Sequence, residues 1–559
     1  MKLFSTATHI GLGLKNVGRV REVLGVLASH GLADWVHRMK LTRLLPGRVS
    51  ASARYQEIPL PERIRAALEE LGPTFVKLGQ LLATRPDLIP EAYIVEFRKL
   101  QDDAAGIAFT EIKKEIESEL KAPIPELFAS FDETPVAAAS IAQVHYAVLK
   151  TGEKVAVKVQ RPGIDKVIQH DISVLRALAV VLERTIPESK TFNPTGLVDE
   201  FLRTILQETD FFIEANNIRR IKGNLAEMPK IAVPLVYTDL SSRRILVMER
   251  FEGVRFSDRE AIIARGINPL EIVETGSEAF FHMVMHDGVF HGDLHAGNLF
   301  VLNDGRIGLI DFGIVGRLSH RVRDSVITMF IAIIDEDYET LAYEYLTLCQ
   351  STGKTQLGAL QKDLMDSISP YVGMSLGEIN IGQILLRSTS IAVRHKLQVP
   401  RELMMLFKAI LTIESLGKRL EPGFDILRIG HQLARQAIAV RYSRERLTRD
   451  LILMGRDLQG LAESVPRTLR RFLSTWSQNE FAFEHRNKDT AQVAASLHAL
   501  ARVLAWSVVS LGFFLIALVF LWKSEGPTVF NLPTSAVIAV SMALLSTSAA
   551  LWPLRKLRR

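Results

Sequence analysis

The octapeptide His291-Gly292-Asp293-Leu294-His295-Ala296-Gly297-Asn298 constrains this chain more than any other stretch. Asp293 and Asn298 stand five apart, the spacing of a kinase-type catalytic loop. In such a loop the aspartate orients or deprotonates an attacking hydroxyl and the asparagine coordinates magnesium. Two further segments fall in the order that such a phosphate site requires. Upstream, VAVK ends in Lys158 on a strand-like run. A lysine there neutralises phosphate oxygens, provided a carboxylate on a facing helix holds it. Downstream, Asp311-Phe312-Gly313 follows a hairpin strand, and Asp311 offers a hard oxygen ligand to magnesium. Alone, VAVK reads as an ordinary strand and DFG as a turn. The octapeptide is more specific, and the ordered set points to a site for ATP or ADP with Mg2+.

Patterning agrees. The runs QVHYAVL and KVAVKVQ, separated by Thr151-Gly152, predict a hairpin. A long helical region follows over about 164–226, then strand-like runs near 235–239 and 244–249. From 259 to about 440 the chain reads mostly as helices. The exception is FVLNDGRIGLIDFG, a hairpin turning at Asn303-Asp304-Gly305. Ahead of the strands, Leu68, Leu71, Phe75, Leu78 and Leu82 recur at spacings of three and four. They predict one apolar helical stripe, ended by Pro86 and Pro90. Residues 10–40 alternate apolar and basic side chains. A helix there either lies on a membrane surface or is an ordinary surface helix.

Two runs near the C-terminus, 503–522 and 533–552, hold no charged side chain. Twenty helical residues span ~30 Å, the thickness of a bilayer core. Trp506, Trp522 and Trp552 lie close to the ends of the runs. Arg486, Lys488 and Arg502 precede the first, and Arg555, Lys556, Arg558 and Arg559 follow the second. This places both ends in the cytoplasm and predicts a multi-pass protein of the cell inner membrane. The alternative is a buried hairpin in a water-soluble domain. Net charge is +6, from 68 basic and 62 acidic residues. The basic excess near the apolar runs suits an anionic membrane surface rather than nucleic acid, for which no motif is present. The single cysteine, Cys349, excludes an intrachain disulfide and a cysteine metal site, and fits a reducing compartment. The N-terminus does not read as a signal peptide.

Departures from an ordinary protein kinase are equally informative. No glycine-rich loop precedes VAVK; the place holds Ala137, Ala138, Ala139 and Ser140. An alanine Cβ disfavours positive φ, so this loop cannot wrap phosphates in the glycine-loop geometry. Gly292 stands where arginine is usual, and His295 where a lysine often follows the aspartate. No APE follows DFG, and SHRVRDSVITMFIAIIDED reads as a helix, leaving little platform for a peptide substrate.

On KLGQ (77–80), AAAS (137–140), VAVK (155–158), ETD (208–210), HGDLHAGN and DFG, the sequence resembles the UbiB/AarF family of atypical kinase-like proteins, associated with ubiquinone biosynthesis. The resemblance covers roughly residues 55–430. It implies that Lys77 and Gln80 lie on a helical extension folded over the cleft, pointing toward the phosphates. Glu208 and Asp210 would face that extension, Glu208 pairing with Lys77, and Glu214 would pair with Lys158. The alanine-rich loop would tune nucleotide preference. Met248 and Glu249, ending the last small-lobe strand, would sit at the lobe hinge near adenine. On one ideal helix Glu208 and Glu214 stand about 240° apart, which suits two separate partners.

The expected fold is α+β, a protein-kinase-like two-lobe body with an N-terminal helical extension and a C-terminal two-helix transmembrane hairpin. Its parts are a helical and linker segment (1–60), the extension (61–125), a small lobe (126–250), a helical lobe (251–440), a charged neck (441–502) and the hairpin (503–552). The leading expectation is a membrane-anchored atypical kinase or ATPase supporting polyprenyl quinone biosynthesis. Its partners would be membrane lipid, quinone precursors or the enzymes that process them. A small-molecule or lipid phosphotransferase and a nucleotide-binding scaffold are the alternatives. Asp293, Lys158 and Glu214 are the candidate catalytic groups, and Asn298 and Asp311 the candidate metal ligands.

Overall fold

The computed structural model describes residues 17–44, 58–83, 85, 88–100, 106–187, 189, 193–351, 353–371 and 381–441, with short stretches between 506 and 545. The chain divides into two compact units, Met1–Leu447 and Thr448–Arg559.

The first unit opens with helices α1 (Val17–Leu27), α2 (Leu60–Leu71) and α3 (Pro73–Leu82). Val20, Val23 and Leu24 of α1 are buried against Leu68, Leu71 and Phe75, together with Val174 and Val181. Arg19 locks α1 down, with Nε 2.8 Å from Asp171 Oδ1 and an N–H donated to the Leu71 carbonyl. The apolar side of α1 is thus used within the body, the ordinary surface helix rather than the membrane-lying one. The predicted single stripe from Leu68 to Leu82 is two helices. Gly72 takes φ +99° between them, a conformation open to glycine, and Pro73 starts the next helix without needing an N–H donor.

After α4 (Phe109–Leu120) come the strands β1 (Phe128–Phe131), β2 (Ala137–Ala138), β3 (Ala142–Leu149) and β4 (Lys154–Gln160). Helices α5 (Ile164–Thr185), α6 (Pro194–Glu208) and α7 (Phe211–Asn224) follow, then β5 (Ile231–Ala232) and β6 (Ile245–Glu249). The sheet order is β1-β3-β4-β6 with β2 on β3, all antiparallel. The β3–β4 turn is the predicted one, with Gly152 at φ +100°. Alternation along β4 sends Val155, Val157 and Val159 to a core with Ile112 and Ile116 of α4. Ala156 lies in the core on the opposite side, shared with the helical lobe, and Lys158 follows it on that side of the strand. The expected strand at 235–239 is instead a single bridge, Val236 to Met248, followed by a 3-10 turn. The helical region 164–226 is three helices. Asn193 caps α6, accepting from Gly196 N–H, and Asp210 caps α7, accepting from Phe212 N–H.

The larger lobe contains β7 (Gly253–Arg255), α8 (Pro269–His282), β8 (Val289–His291), β9 (Leu299–Leu302), β10 (Ile307–Leu309) and β11 (Val315–Arg317). Six helices complete it: α9 (His320–Ile334), α10 (Tyr338–Leu348), α11 (Leu357–Ile368), α12 (Ile381–Arg394), α13 (Arg401–Leu420) and α14 (Ile426–Arg441). The β9–β10 hairpin turns at Asn303-Asp304-Gly305 as expected, Gly305 at φ +82°. Two short pairings frame the catalytic loop: β10 runs beside β9, and β11 beside β8.

The two apolar runs, 503–522 and 533–552, lie mostly outside the described residues. Among the described residues no helix is long and apolar enough to cross a membrane. In the second unit, Thr528–Val529 pairs antiparallel with Leu532–Pro533, so the chain reverses between the runs.

Candidate active site

Lys158 is 13% exposed and faces two carboxylates. Its Nζ lies 2.9 and 3.0 Å from the Glu214 oxygens and 3.6 Å from Asp311 Oδ1. The Phe211 ring centroid, 5.4 Å away, adds a cation–π contact. Burial works against the ammonium, but the charges of Asp311 and Glu214 outweigh it and hold Lys158 cationic. Burial also pushes the Glu214 carboxyl up, against the pull of Lys158. Glu214 Oε1 accepts from the Phe312 N–H as well, at 3.3 Å. One carboxylate on α7 therefore ties the β4 lysine to the DFG segment.

The DFG segment is fixed from three sides. Asp311 takes φ +60°, a left-handed conformation that aspartate tolerates better than most residues. Its Oδ1 accepts from the Gly313 N–H at 3.1 Å. Phe312 is fully buried and its carbonyl accepts from Asn217 Nδ2 at 3.0 Å; Asn217 in turn accepts from Arg317. Asp311 keeps 48% side-chain exposure, so its carboxylate is accessible from solvent. Burial of its surroundings opposes ionisation, but Lys158 and the Gly313 N–H prevail and lower its pKa to about 2.

The catalytic loop is stitched to the same place. The Ile310 N–H donates to the Asn298 carbonyl and the Gly292 N–H to the Ile314 carbonyl, at 3.0 and 2.9 Å. Asn298 Nδ2 donates to the Asp293 carbonyl at 3.0 Å, leaving Asn298 Oδ1 as the acceptor atom. His291 is fully buried; Nδ1 accepts from the Asp293 N–H at 3.1 Å, which requires a neutral ring with its proton on Nε2. Burial lowers the His291 pKa, in agreement. Lys158, Asp293, Asn298 and Asp311, read from scattered parts of the sequence, thus share one region.

The extension meets the site through Lys77, whose Nζ is 3.2 Å from Glu208 Oε2, with both side chains largely buried. Its charge also acts on Lys158 and Asp311. Gln80 does not point the same way: its Nε2 donates to the Leu100 carbonyl at 3.2 Å. Asp210 caps α7 and pairs with Arg243 at 3.3 Å, rather than facing the extension. Glu208 and Glu214 belong to different helices, so their separate partners follow from the break at Thr209-Asp210, not from an ideal-helix angle.

Ala137, Ala138, Ala139 and Ser140 show no positive φ. Ala139 N–H donates to the Ala142 carbonyl, and its own carbonyl accepts from Arg161 Nε, both at 2.8 Å. The loop is pinned by its own hydrogen bonds, and the glycine-loop conformation is absent, as the sequence indicates. Ser140 Oγ is buried with no hydrogen-bond partner among the described residues. Met248 pairs with Ala156 across the sheet, and Glu249 accepts from the Leu235 N–H at 3.1 Å.

The donor set fits a magnesium nucleotide: a carboxylate and an amide oxygen for a hard cation, and two lysines for phosphate oxygens. One residue beside this set was not anticipated. Lys408, on α13, places Nζ 3.0 Å from Asp293 Oδ1. The available signal was a lone lysine inside the apolar run MMLFKAILTI. Burial opposes ionisation of Asp293, but the Lys408 charge, then His295, keeps its pKa below the usual value.

Residues 99–345 match the ABC1 atypical kinase-like domain and residues 364–425 the UbiB helical domain. The chain is 32% identical over 501 residues to the "Probable protein kinase UbiB" of Cellvibrio japonicus, covering 84% of this chain and 90% of that one. It is 36% identical over 445 residues to the protein of the same name from Azotobacter vinelandii, covering 79% and 81%. For the Marinobacter nauticus protein, again of that name, identity is 37% over 369 residues, covering 65% and 68%. A relative above 30% identity, aligned along nine-tenths of its own length, settles the matter: the chain belongs to the UbiB family of atypical kinase-like proteins.

Proposed function

We propose that this chain binds ATP–Mg2+ and turns it over as a membrane-anchored atypical kinase or ATPase that supports polyprenyl quinone biosynthesis. The observation that carries the reading is the link from Lys158 through Glu214 to the backbone of DFG, with Asn298 hydrogen-bonded next to Asp311. In a bound state Lys158 and Lys77 would face phosphate oxygens, and Asp311 and Asn298 would hold Mg2+, which supplies charge neutralisation. Asp293 would orient the attacking hydroxyl or water. The quinone context rests on the family resemblance. The anchoring rests on the uncharged runs 503–522 and 533–552 with their basic flanks.

Purified full-length protein in lipid, given γ-labelled ATP with and without polyprenyl-phenol mimics, tests the reading. Labelled free phosphate favours an ATPase, and labelled lipid or metabolite a phosphotransferase. Turnover should vanish in Asp311→Asn. No turnover under any condition, or full complementation of a quinone-deficient deletion strain by Asp311→Asn, would leave a scaffold instead. Partition of the chain into the soluble fraction after cell lysis would refute the anchoring.

A further inference from the structure

Two departures of the catalytic loop from ordinary kinases flank Asp293, which helix α13 reaches with a lysine. Gly292 replaces the usual arginine, and His295 the lysine that often follows the aspartate. A Cβ built on Gly292 would fall 2.6 Å from Met405 Sδ and 2.9 Å from Ile314 Cγ2. Without a Cβ at Gly292, the Met405 side chain of α13 packs directly on the catalytic loop. Met405 and Lys408 are three apart on α13 and share a face. That face brings Lys408 Nζ within 3.0 Å of Asp293 Oδ1. His295 does not fill the role: its Nε2 lies 3.8 Å from Asp293 Oδ2, beyond hydrogen-bond reach.

Helix α13 is held firmly. Leu403, Met404, Leu406, Phe407, Ala409 and Ile410 are buried, and Arg401 donates to Thr204 Oγ1 of α6 at 2.8 Å. Lys408 itself keeps 41% exposure. It has three donors on a flexible stem, only one of which Asp293 Oδ1 uses.

We propose that Lys408 is a positioning residue for the phosphate reaction, supplying from the downstream helical domain the cation that the catalytic loop lacks. It fixes the Asp293 carboxylate in the orientation that an attacking hydroxyl or water requires. The inference rests on the ATP-dependent reading above.

The test uses the full chain in lipid, comparing wild type, Lys408→Ala, Lys408→Arg and Asp311→Asn for ATP turnover, and for binding of a fluorescent ADP analogue with Mg2+. In Lys408→Ala, kcat should fall about 10- to 100-fold, as loss of a positioned group does. ADP affinity should stay close to wild type, which also reports that the variant folds. Lys408→Arg should recover much of the loss, and added methylammonium should partly restore Lys408→Ala but not Asp311→Asn. Wild-type or higher turnover in Lys408→Ala overturns the proposal, as does a loss that neither arginine nor methylammonium repairs. If Asp311→Asn is still inactive in those cases, the ATP reading stands. A wild-type protein that binds ADP but never turns over ATP overturns both.

Discussion

Replacing Glu214 by glutamine isolates the central contact of the site. The carboxylate is 4% exposed, accepts from Lys158 with both oxygens, and accepts from Phe312 N–H. Glutamine keeps one acceptor oxygen and turns an N–H2 toward the ammonium. Two unit charges 2.9 Å apart interact by about 6 kcal/mol at an effective dielectric near 20. Removing one partner of a buried pair typically costs about 3–5 kcal/mol. Here Lys158 retains Asp311 at 3.6 Å and 13% exposure, so the loss should sit near 3 kcal/mol. Lys158 should also close on Asp311, occupying the carboxylate meant for magnesium and weakening ADP–Mg2+ binding. Pulse proteolysis across a urea series, with fluorescent-ADP titration, reads both effects. The double variant Lys158→Met/Glu214→Leu removes both charges and should lose less stability than Glu214→Gln, while still failing to bind nucleotide. A Glu214→Gln protein within about 0.5 kcal/mol of wild type with unchanged ADP affinity would refute the reasoning, since surface-like substitutions behave that way.

Gly292→Val should crowd the Met405 and Ile314 side chains, costing about 1–3 kcal/mol and loosening the Lys408–Asp293 contact, so that turnover falls; unchanged stability and turnover would refute the packing argument. Asn217→Leu removes the donor to the Phe312 carbonyl and should cost about 1–3 kcal/mol, read in the same urea series. The depressed Asp311 pKa, about 2, means its stabilising charge is present above the ordinary carboxylate range and is lost only as pH falls toward 2. ADP–Mg2+ affinity should therefore show no Asp311 titration between pH 7 and 5. Buried His145 and His291 titrate below their ordinary value. The unfolded chain takes up their protons first, so stability should fall as pH drops from 7 through the ordinary histidine range. His145→Phe should flatten that fall, and an unchanged slope would count against it.

The motifs, their order and the β-hairpin turns were legible in the sequence because they depend on local chemistry. Gly152 and Gly305 mark turns that need positive φ, and a five-residue spacing carries Asp293 and Asn298 into one loop. The partners of Lys77 and Lys158 came only from family resemblance, and the structure bears both pairs out. Long-range placement was less legible. Local pattern read one apolar helical stripe through Leu68–Leu82 and a long helical region through 164–226, without the breaks that Gly72, Asn193 and Asp210 make in them. The break at Asp210 turned that residue into a cap instead of a cleft carboxylate. Gln80 stands one helical turn from Lys77, but tertiary packing commits it to the Leu100 carbonyl. Above all, Lys408 lies 115 residues beyond Asp293 and meets it only through the packing of α13 on the catalytic loop, where Met405 lies against Gly292. Sequence by itself determined which chemical groups this protein has and which local turns present them. The tertiary structure decided which charges share a buried space, because ion pairing depends on distance through the fold and not along the chain.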